Sequence, residues 1–150
     1  MMATEIKAEN AVATRPLNIL LIGNNPKEVG DILDKINEVR YPKINTEIAF
    51  NLRTMLARLI EFEPHYVLMD DNIGKTELKE AVNIFAEKRK TLAIPITILK
   101  NSNYHDSVLS SENLDYVLKQ NFSIDLLMYG FKNFLKNKEI KLNMLSKAKN

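Results

Sequence analysis

Short apolar runs alternate with amphipathic stretches along the chain, and the two patterns predict strands and helices in turn. Branched and aromatic runs that are bounded by turn residues indicate buried strands. The predicted strands are Leu17–Ile22, Thr46–Phe50, Tyr66–Met69, Ile94–Leu99 and Tyr116–Leu118. The stretches between them carry apolar residues at i, i+3, i+4 and i+7, which is typical of helices that lie on a sheet. This order predicts an α/β fold, with a five-stranded parallel sheet and helices on both faces.

Several polar residues are placed to start the predicted helices. Asn25 precedes the first helical stripe, and Glu28 follows three residues later, which is the spacing of a capping box. Asn51 and Ser123 are the predicted caps of the second and the last helix. Residues 101–114 hold few apolar positions, so we expect only a short or irregular fourth helix there.

The third predicted strand runs directly into two carboxylates, Asp70 and Asp71. In an open α/β sheet, ligands bind at the carboxyl ends of the strands. A carboxylate pair at such a position can hold a hard cation, act as an acid and a base, or accept a phosphoryl group. The alternative is a solvated pair that only begins a loop, and the spacing alone favours that alternative.

The composition limits which classes of fold and function are possible. The chain has 150 residues, a formal net charge of +2 and no Cys, so we expect one globular domain without disulfides or thiolate chemistry. No apolar run approaches the ~20 residues that span a bilayer. The N-terminal stretch lacks the apolar centre of a signal peptide, and a cytoplasmic location is therefore expected.

Four stretches carry a resemblance to a known family: NILLIGNN from Asn18, PHYVLMDDN from Pro64, IPITIL from Ile94 and DYVLK from Asp115. Together with the order of elements, they resemble the receiver domain of bacterial two-component response regulators. The resemblance implies a flavodoxin-like (βα)5 domain over residues 17–137. Residues 1–16 are then expected to form a flexible leader, and residues 138–150 a Lys-rich tail or linker.

The resemblance also implies roles for individual residues. Asp70 falls on the phospho-accepting aspartate, and the backbone carbonyl of Asn72 falls where the family helps to bind Mg²⁺. Lys119 falls on the lysine that contacts the phosphoryl group. Tyr116 falls on the aromatic switch position of the fifth strand.

Other positions depart from the family pattern. The acidic pair that holds Mg²⁺ in the family is replaced by Gly23 and Asn24, and the Thr or Ser that ends the fourth strand is replaced by Lys100. Because Mg²⁺ prefers anionic oxygen ligands, we expect no cofactor, or weak Mg²⁺ binding by Asp70, Asn72 and Asn24. Lys100 and Lys119 are both expected to point at Asp70, with Lys100 in place of the metal.

The leading interpretation is therefore a divergent receiver domain in signal transduction or transcriptional regulation, with impaired Mg²⁺-dependent phosphorylation and no enzymatic activity. Its expected partner is a histidine kinase or an output domain. A homodimer through the fourth helix, fifth strand and fifth helix is a further expectation, since Leu126, Met128 and Tyr129 add apolar residues to the last helix. Those three residues equally fit a wider buried stripe.

Two alternatives stay open. One is a working phospho-receiver with Asp70 as nucleophile, to which Asn24 or Asp71 supplies part of a metal site. The other is a small α/β enzyme that uses Asp70 with Lys100 or Lys119 as an acid–base pair. Contact with a membrane is not expected, and contact with nucleic acid is expected only through an output domain, which this sequence does not contain.

Overall fold

A five-stranded parallel sheet with strand order β2-β1-β3-β4-β5 forms the centre of the molecule. The computed structural model describes residues 16–40, 43–101, 114–123 and 125–129. The strands are β1 (Leu17–Ile22), β2 (Ile44–Ala49), β3 (Tyr66–Asp70), β4 (Ile96–Lys100) and β5 (Leu114–Leu118). The helices are α1 (Pro26–Asn37), α2 (Leu52–Glu61), α3 (Lys75–Glu87) and the short α4 (Arg89–Leu92), and residues 125–129 are also helical.

The predicted fold class is confirmed, and the two faces of the sheet bury separate apolar clusters. One cluster joins alternate strand residues such as Met69 and Ile98 to the inward sides of α2 and α3. The other joins Leu68 and Leu99 to α1 and to Leu127 of the final helical segment. Side chains of a strand alternate between the two faces of its sheet, so neighbouring strand residues serve different clusters.

Four of the five predicted strands differ from the structure in their bounds, and β3 differs only by including Asp70. Strand β2 begins at Ile44, because its polar first half pairs with β1, and it ends at Ala49, which pairs with the last residue of β1. Strand β4 begins at Ile96, since Pro95 has no N–H to give to the ladder. Strand β5 begins at Leu114, which pairs with Ile96. The predicted fourth helix lies largely outside the described residues, as do the tail and nearly all of the leader.

The predicted caps are confirmed. The Asn25 side chain accepts hydrogen bonds from the backbone N–H groups of Lys27 and Glu28 at the start of α1. Asn51 accepts from the N–H of Thr54 at the start of α2. Ser123 Oγ accepts from the N–H of Leu126 at the start of the final helical segment. These bonds satisfy N–H groups that a helix leaves without an internal partner.

The C-terminal ends of β1 and β3 lie side by side, and Gly23 allows them to do so closely. Ile22 pairs with Met69 in the β1–β3 register, which places Gly23 next to Asp70. A Cβ atom on Gly23 would lie 2.9 Å from Val29 Cγ2 and 3.3 Å from Asp70 Cβ. A larger side chain at this position, such as the aspartate that the family pattern has there, therefore requires Val29 or Asp70 to shift.

Among the described residues, no helix has the length and apolar character that crossing a membrane requires.

We predict that Gly23→Ala lowers the free energy of unfolding by about 1–3 kcal/mol, because overpacking of a filled site costs about that much. The matched control is Gly30→Ala in α1, where an added Cβ would meet nothing within 4 Å. That control should raise stability by about 0.5–1 kcal/mol, since alanine is the better helix former. Urea denaturation of both variants measures the difference, and equal effects would contradict the close approach at Gly23.

Candidate functional site

Asp70 ends the central strand β3 with its side chain fully buried, at 0% exposure. Its Oδ1 accepts a hydrogen bond from the backbone N–H of Asn72, at 2.9 Å, and so caps the 3₁₀ turn Asp71–Ile73. The Lys119 Nζ lies 2.6 Å from the same oxygen. Oδ2 is buried without a hydrogen-bond partner. The carboxylate is therefore held on one oxygen only, and neither oxygen faces solvent.

The Lys119 ammonium lies between two carboxylates. It is 2.6 Å from Asp70 Oδ1 and 2.6 Å from Glu28 Oε2. Glu28 belongs to the first turn of α1, and its Oε2 also accepts a hydrogen bond from the side-chain amide of Asn72. Lys119 begins the 3₁₀ turn that follows β5. One ammonium thus links α1, β3 and the end of β5.

The pKa shifts of the three charged groups follow from this geometry. The hydrogen bond from Lys119 lowers the pKa of Glu28, despite its partial burial. Burial raises the pKa of Asp70, and the bonds from Lys119 and Asn72 offset this only in part. Burial lowers the pKa of Lys119, but the two carboxylates outweigh it and the net shift is upward. At neutral pH the Lys119 ammonium is therefore charged and paired with an ionised Glu28.

Amide side chains complete the polar network at this end of the sheet. Asn24 Nδ2 donates to the backbone carbonyl of Asn72 at 3.1 Å. Asn101, directly after β4, donates through its side chain to Asp71 Oδ1 at 2.8 Å and through its backbone N–H to Asp71 Oδ2 at 3.2 Å. Both oxygens of Asp71 are thus engaged by the segment after β4, and the Asn101 side chain also donates to Asn72 Oδ1.

Lys100 does not contact Asp70, contrary to the sequence-based expectation. Its Nζ lies over the ring of Tyr116, 5.3 Å from the ring centroid. The alternation of side chains along the strands explains the difference. Lys100 follows Ile96 and Ile98 on the α3 side of the sheet, whereas Asp70 follows Leu68 on the α1 side.

Asp70, Lys119, Asn24 and Asn72 do come together as the resemblance implied, and their roles remain predictions. Glu28 was missed, because the spacing from Asn25 suggested a capping role only. One signal in the sequence points to it. Gly23 and Asn24 stand after the first strand, where the family has two acidic residues. Glu28 is the first acidic residue that follows them in the sequence.

The donor set around Asp70 does not fit Mg²⁺ as it is arranged. No group of three or more His, Cys, Asp or Glu side chains converges on one point in the described parts of the chain. The carboxylates of Asp70 and Glu28 are both bonded to the Lys119 ammonium, and Asp71 is bonded to Asn101. Magnesium needs near-octahedral oxygen coordination at about 2.0–2.1 Å, and here a nitrogen cation already stands between the two anionic oxygens.

Solved receiver domains share this fold. The receiver domain of the Pseudomonas aeruginosa sensor histidine kinase PA1611, with magnesium coordinated in its active-site cleft, matches with a TM-score of 0.67 at 14% identity, over 81% of this chain and 99% of that one. A signal receiver domain of a Syntrophus aciditrophicus histidine kinase matches with a TM-score of 0.63 at 16% identity, over 80% and 90%. The signal receiver domain of a Pseudomonas fluorescens HD domain-containing protein matches with a TM-score of 0.66 at 12% identity, over 83% of this chain and 98% of that one.

Sequence comparisons add nothing to this likeness, since no protein-family model and no curated protein matches the chain. Identities of 12–16% establish a common fold and not a common activity. The chain thus has the fold of receiver domains, with a site that differs from the family pattern at Gly23, Asn24 and Lys100.

We predict that Glu28→Gln lowers the free energy of unfolding at pH 7 by about 1 kcal/mol, the scale of a partly exposed charged hydrogen bond. The folded-state pKa of Glu28 is below its ordinary value of 4.5. Its stabilisation is therefore present above that pH and is lost as the pH falls through the folded-state pKa. Urea denaturation from pH 7 to pH 3 should show the gap between wild type and variant closing at low pH.

The control for this experiment is Glu80→Gln, which removes an exposed carboxylate from α3. It should leave the stability close to that of the wild type at every pH. A gap for Glu28→Gln that stays constant with pH would contradict the ion pair with Lys119.

Proposed function

We propose that this chain is a cytoplasmic receiver-like module of two-component signal transduction, in which Mg²⁺-dependent phosphorylation of Asp70 is impaired. The observation that carries the proposal is the Lys119 ammonium, at 2.6 Å from both Asp70 and Glu28. The module is proposed to span residues 17–137 and to act through contacts with other proteins.

Two features of the site argue against efficient phosphoryl transfer. The attacking carboxylate oxygen must approach phosphorus in line, yet Asp70 is fully buried and its Oδ1 is bonded to Lys119 and to the Asn72 N–H. Metal ions normally neutralise the charge that develops during transfer. Here Asp70 and Glu28 are already bonded to the Lys119 ammonium, and the oxygens of Asp71 accept hydrogen bonds from Asn101.

We also propose that the aromatic residue of the fifth strand, Tyr116, does not respond to phosphorylation as it does in the family. In the family pattern, a hydroxyl at the end of the fourth strand links the phosphoryl group to the aromatic residue of the fifth strand. Lys100 occupies that position, has no hydroxyl to make this link, and lies with its ammonium over the Tyr116 ring. Phosphorylation of Asp70 would then have no direct contact through which to move the Tyr116 side chain.

The proposed partner is a histidine kinase or an output domain, and the proposed contact face includes the final helical segment. Leu126 and Tyr129 are 41% and 67% exposed there, whereas Leu127 is buried. Exposed apolar side chains of this size, grouped on one short segment, support a protein-binding surface. A homodimer through the same face remains part of the proposal.

Incubation of the purified chain with Mg²⁺ and a small phosphodonor such as acetyl phosphate tests the proposal. Intact-mass spectrometry should show no phosphorylated species, because Asp70 is buried and its Oδ1 is bonded to Lys119. Asp70→Asn serves as the control that locates any label. Stoichiometric phosphorylation of the wild type that disappears in this control would overturn the proposal.

A further inference from the structure

We propose that Glu28 is a positioning residue that holds the Lys119 ammonium against Asp70, so that the ammonium serves as the cation of the pocket and excludes a divalent metal. The inference rests on the proposed function, since it supplies a cause for the loss of metal-dependent chemistry. It assigns that cause to one ion pair between α1 and the turn after β5, and not to the missing acidic pair alone.

The distances show why the ammonium and a metal exclude each other. Glu28 Oε2 and Asp70 Oδ1 each lie 2.6 Å from Lys119 Nζ. A Mg²⁺ ion bonded to both oxygens, at about 2.0–2.1 Å from each, would lie close to that nitrogen and would repel its positive charge. Lys119 would then either remain beside a dication or give up its bonds to the carboxylates.

The positions of Glu28 and Lys119 are each fixed by further contacts. The Asn72 side chain donates to Glu28 Oε2 and orients it towards the strand ends. Two turns further along α1, Lys35 Nζ donates to the Phe122 carbonyl at 3.3 Å and lies over the Phe122 ring. Helix α1 is therefore attached to the segment after β5 at two points, which keeps Glu28 within reach of Lys119.

Burial strengthens the electrostatic attraction between Lys119 and Asp70. The Lys119 side chain is 18% exposed and Asp70 is 0% exposed, so water screens this pair poorly. The three groups carry two negative charges and one positive charge. Without Lys119, two close carboxylates would be left uncompensated, and such a pair attracts a cation.

The experiment measures Mg²⁺ affinity by NMR titration of backbone amides in the wild type, in Lys119→Gln and in Glu28→Gln/Lys119→Gln. The wild type should show no saturable binding at millimolar Mg²⁺. Lys119→Gln should show saturable binding, at least about tenfold tighter than the upper limit on wild-type affinity, since ligand charge sets the affinity of such sites. The double variant should lose that gain, because one of the two carboxylates is gone.

Lys100→Gln is the matched control, since it removes the same charge from the end of a neighbouring strand but from the Tyr116 side of the sheet. It should leave Mg²⁺ affinity at the wild-type level. Saturable binding by the wild type, or a Lys119→Gln variant that binds no more tightly than Lys100→Gln, would overturn the inference.

A second measurement keeps the inference testable if Lys119→Gln does not fold. Acetylation of Lys119 by an N-hydroxysuccinimide ester, followed by peptide mass spectrometry, reports the availability of its amine. The amine should react several-fold faster in Glu28→Gln than in the wild type, with Glu80→Gln as the control. Equal rates in all three proteins would show that Glu28 does not hold Lys119.

The two proposals fail separately. Phosphorylation of wild-type Asp70 would overturn the proposed function, whatever the Mg²⁺ titrations show. If the wild type stays unphosphorylated and Lys119→Gln gains no Mg²⁺ affinity, only the role given to Glu28 and Lys119 is overturned.

Discussion

A buried carboxylate needs a compensating charge, and in this fold one ammonium supplies it. Asp70 is fully buried at the end of the central strand, where desolvation disfavours its ionised form. Lys119 lies 2.6 Å from it, at the end of the edge strand β5. The same ammonium reaches Glu28 on α1, so the compensation of one charge also joins three elements that are distant in sequence.

The other residues at this end of the sheet pack closely together and hydrogen-bond to one another. Gly23 permits β1 and α1 to approach Asp70 closely, and a Cβ atom added at that position would lie 2.9 Å from Val29 Cγ2. Asn24 donates to the Asn72 carbonyl. Asn101 engages both oxygens of Asp71. Groups that would bind a cation in the family pattern are here absent, replaced by amides or bonded to protein donors.

Sequence patterns predicted the architecture because each strand and helix stripe carries its own apolar signal. They failed where tertiary contacts decide the outcome. The polar start of β2 at Ile44 is a strand because of its pairing with β1. Lys100 was placed on the wrong side of the sheet, since the prediction followed order along the chain and not the alternation of side chains. Glu28 was missed because its partner Lys119 is 91 residues away.

A crystal structure determined from crystals grown in a high concentration of Mg²⁺ tests the central claim most directly. The account predicts that Lys119 Nζ remains within hydrogen-bond distance of both Asp70 and Glu28, with no metal between them. A Mg²⁺ ion bound to Asp70, with Lys119 displaced from one or both carboxylates, would contradict it.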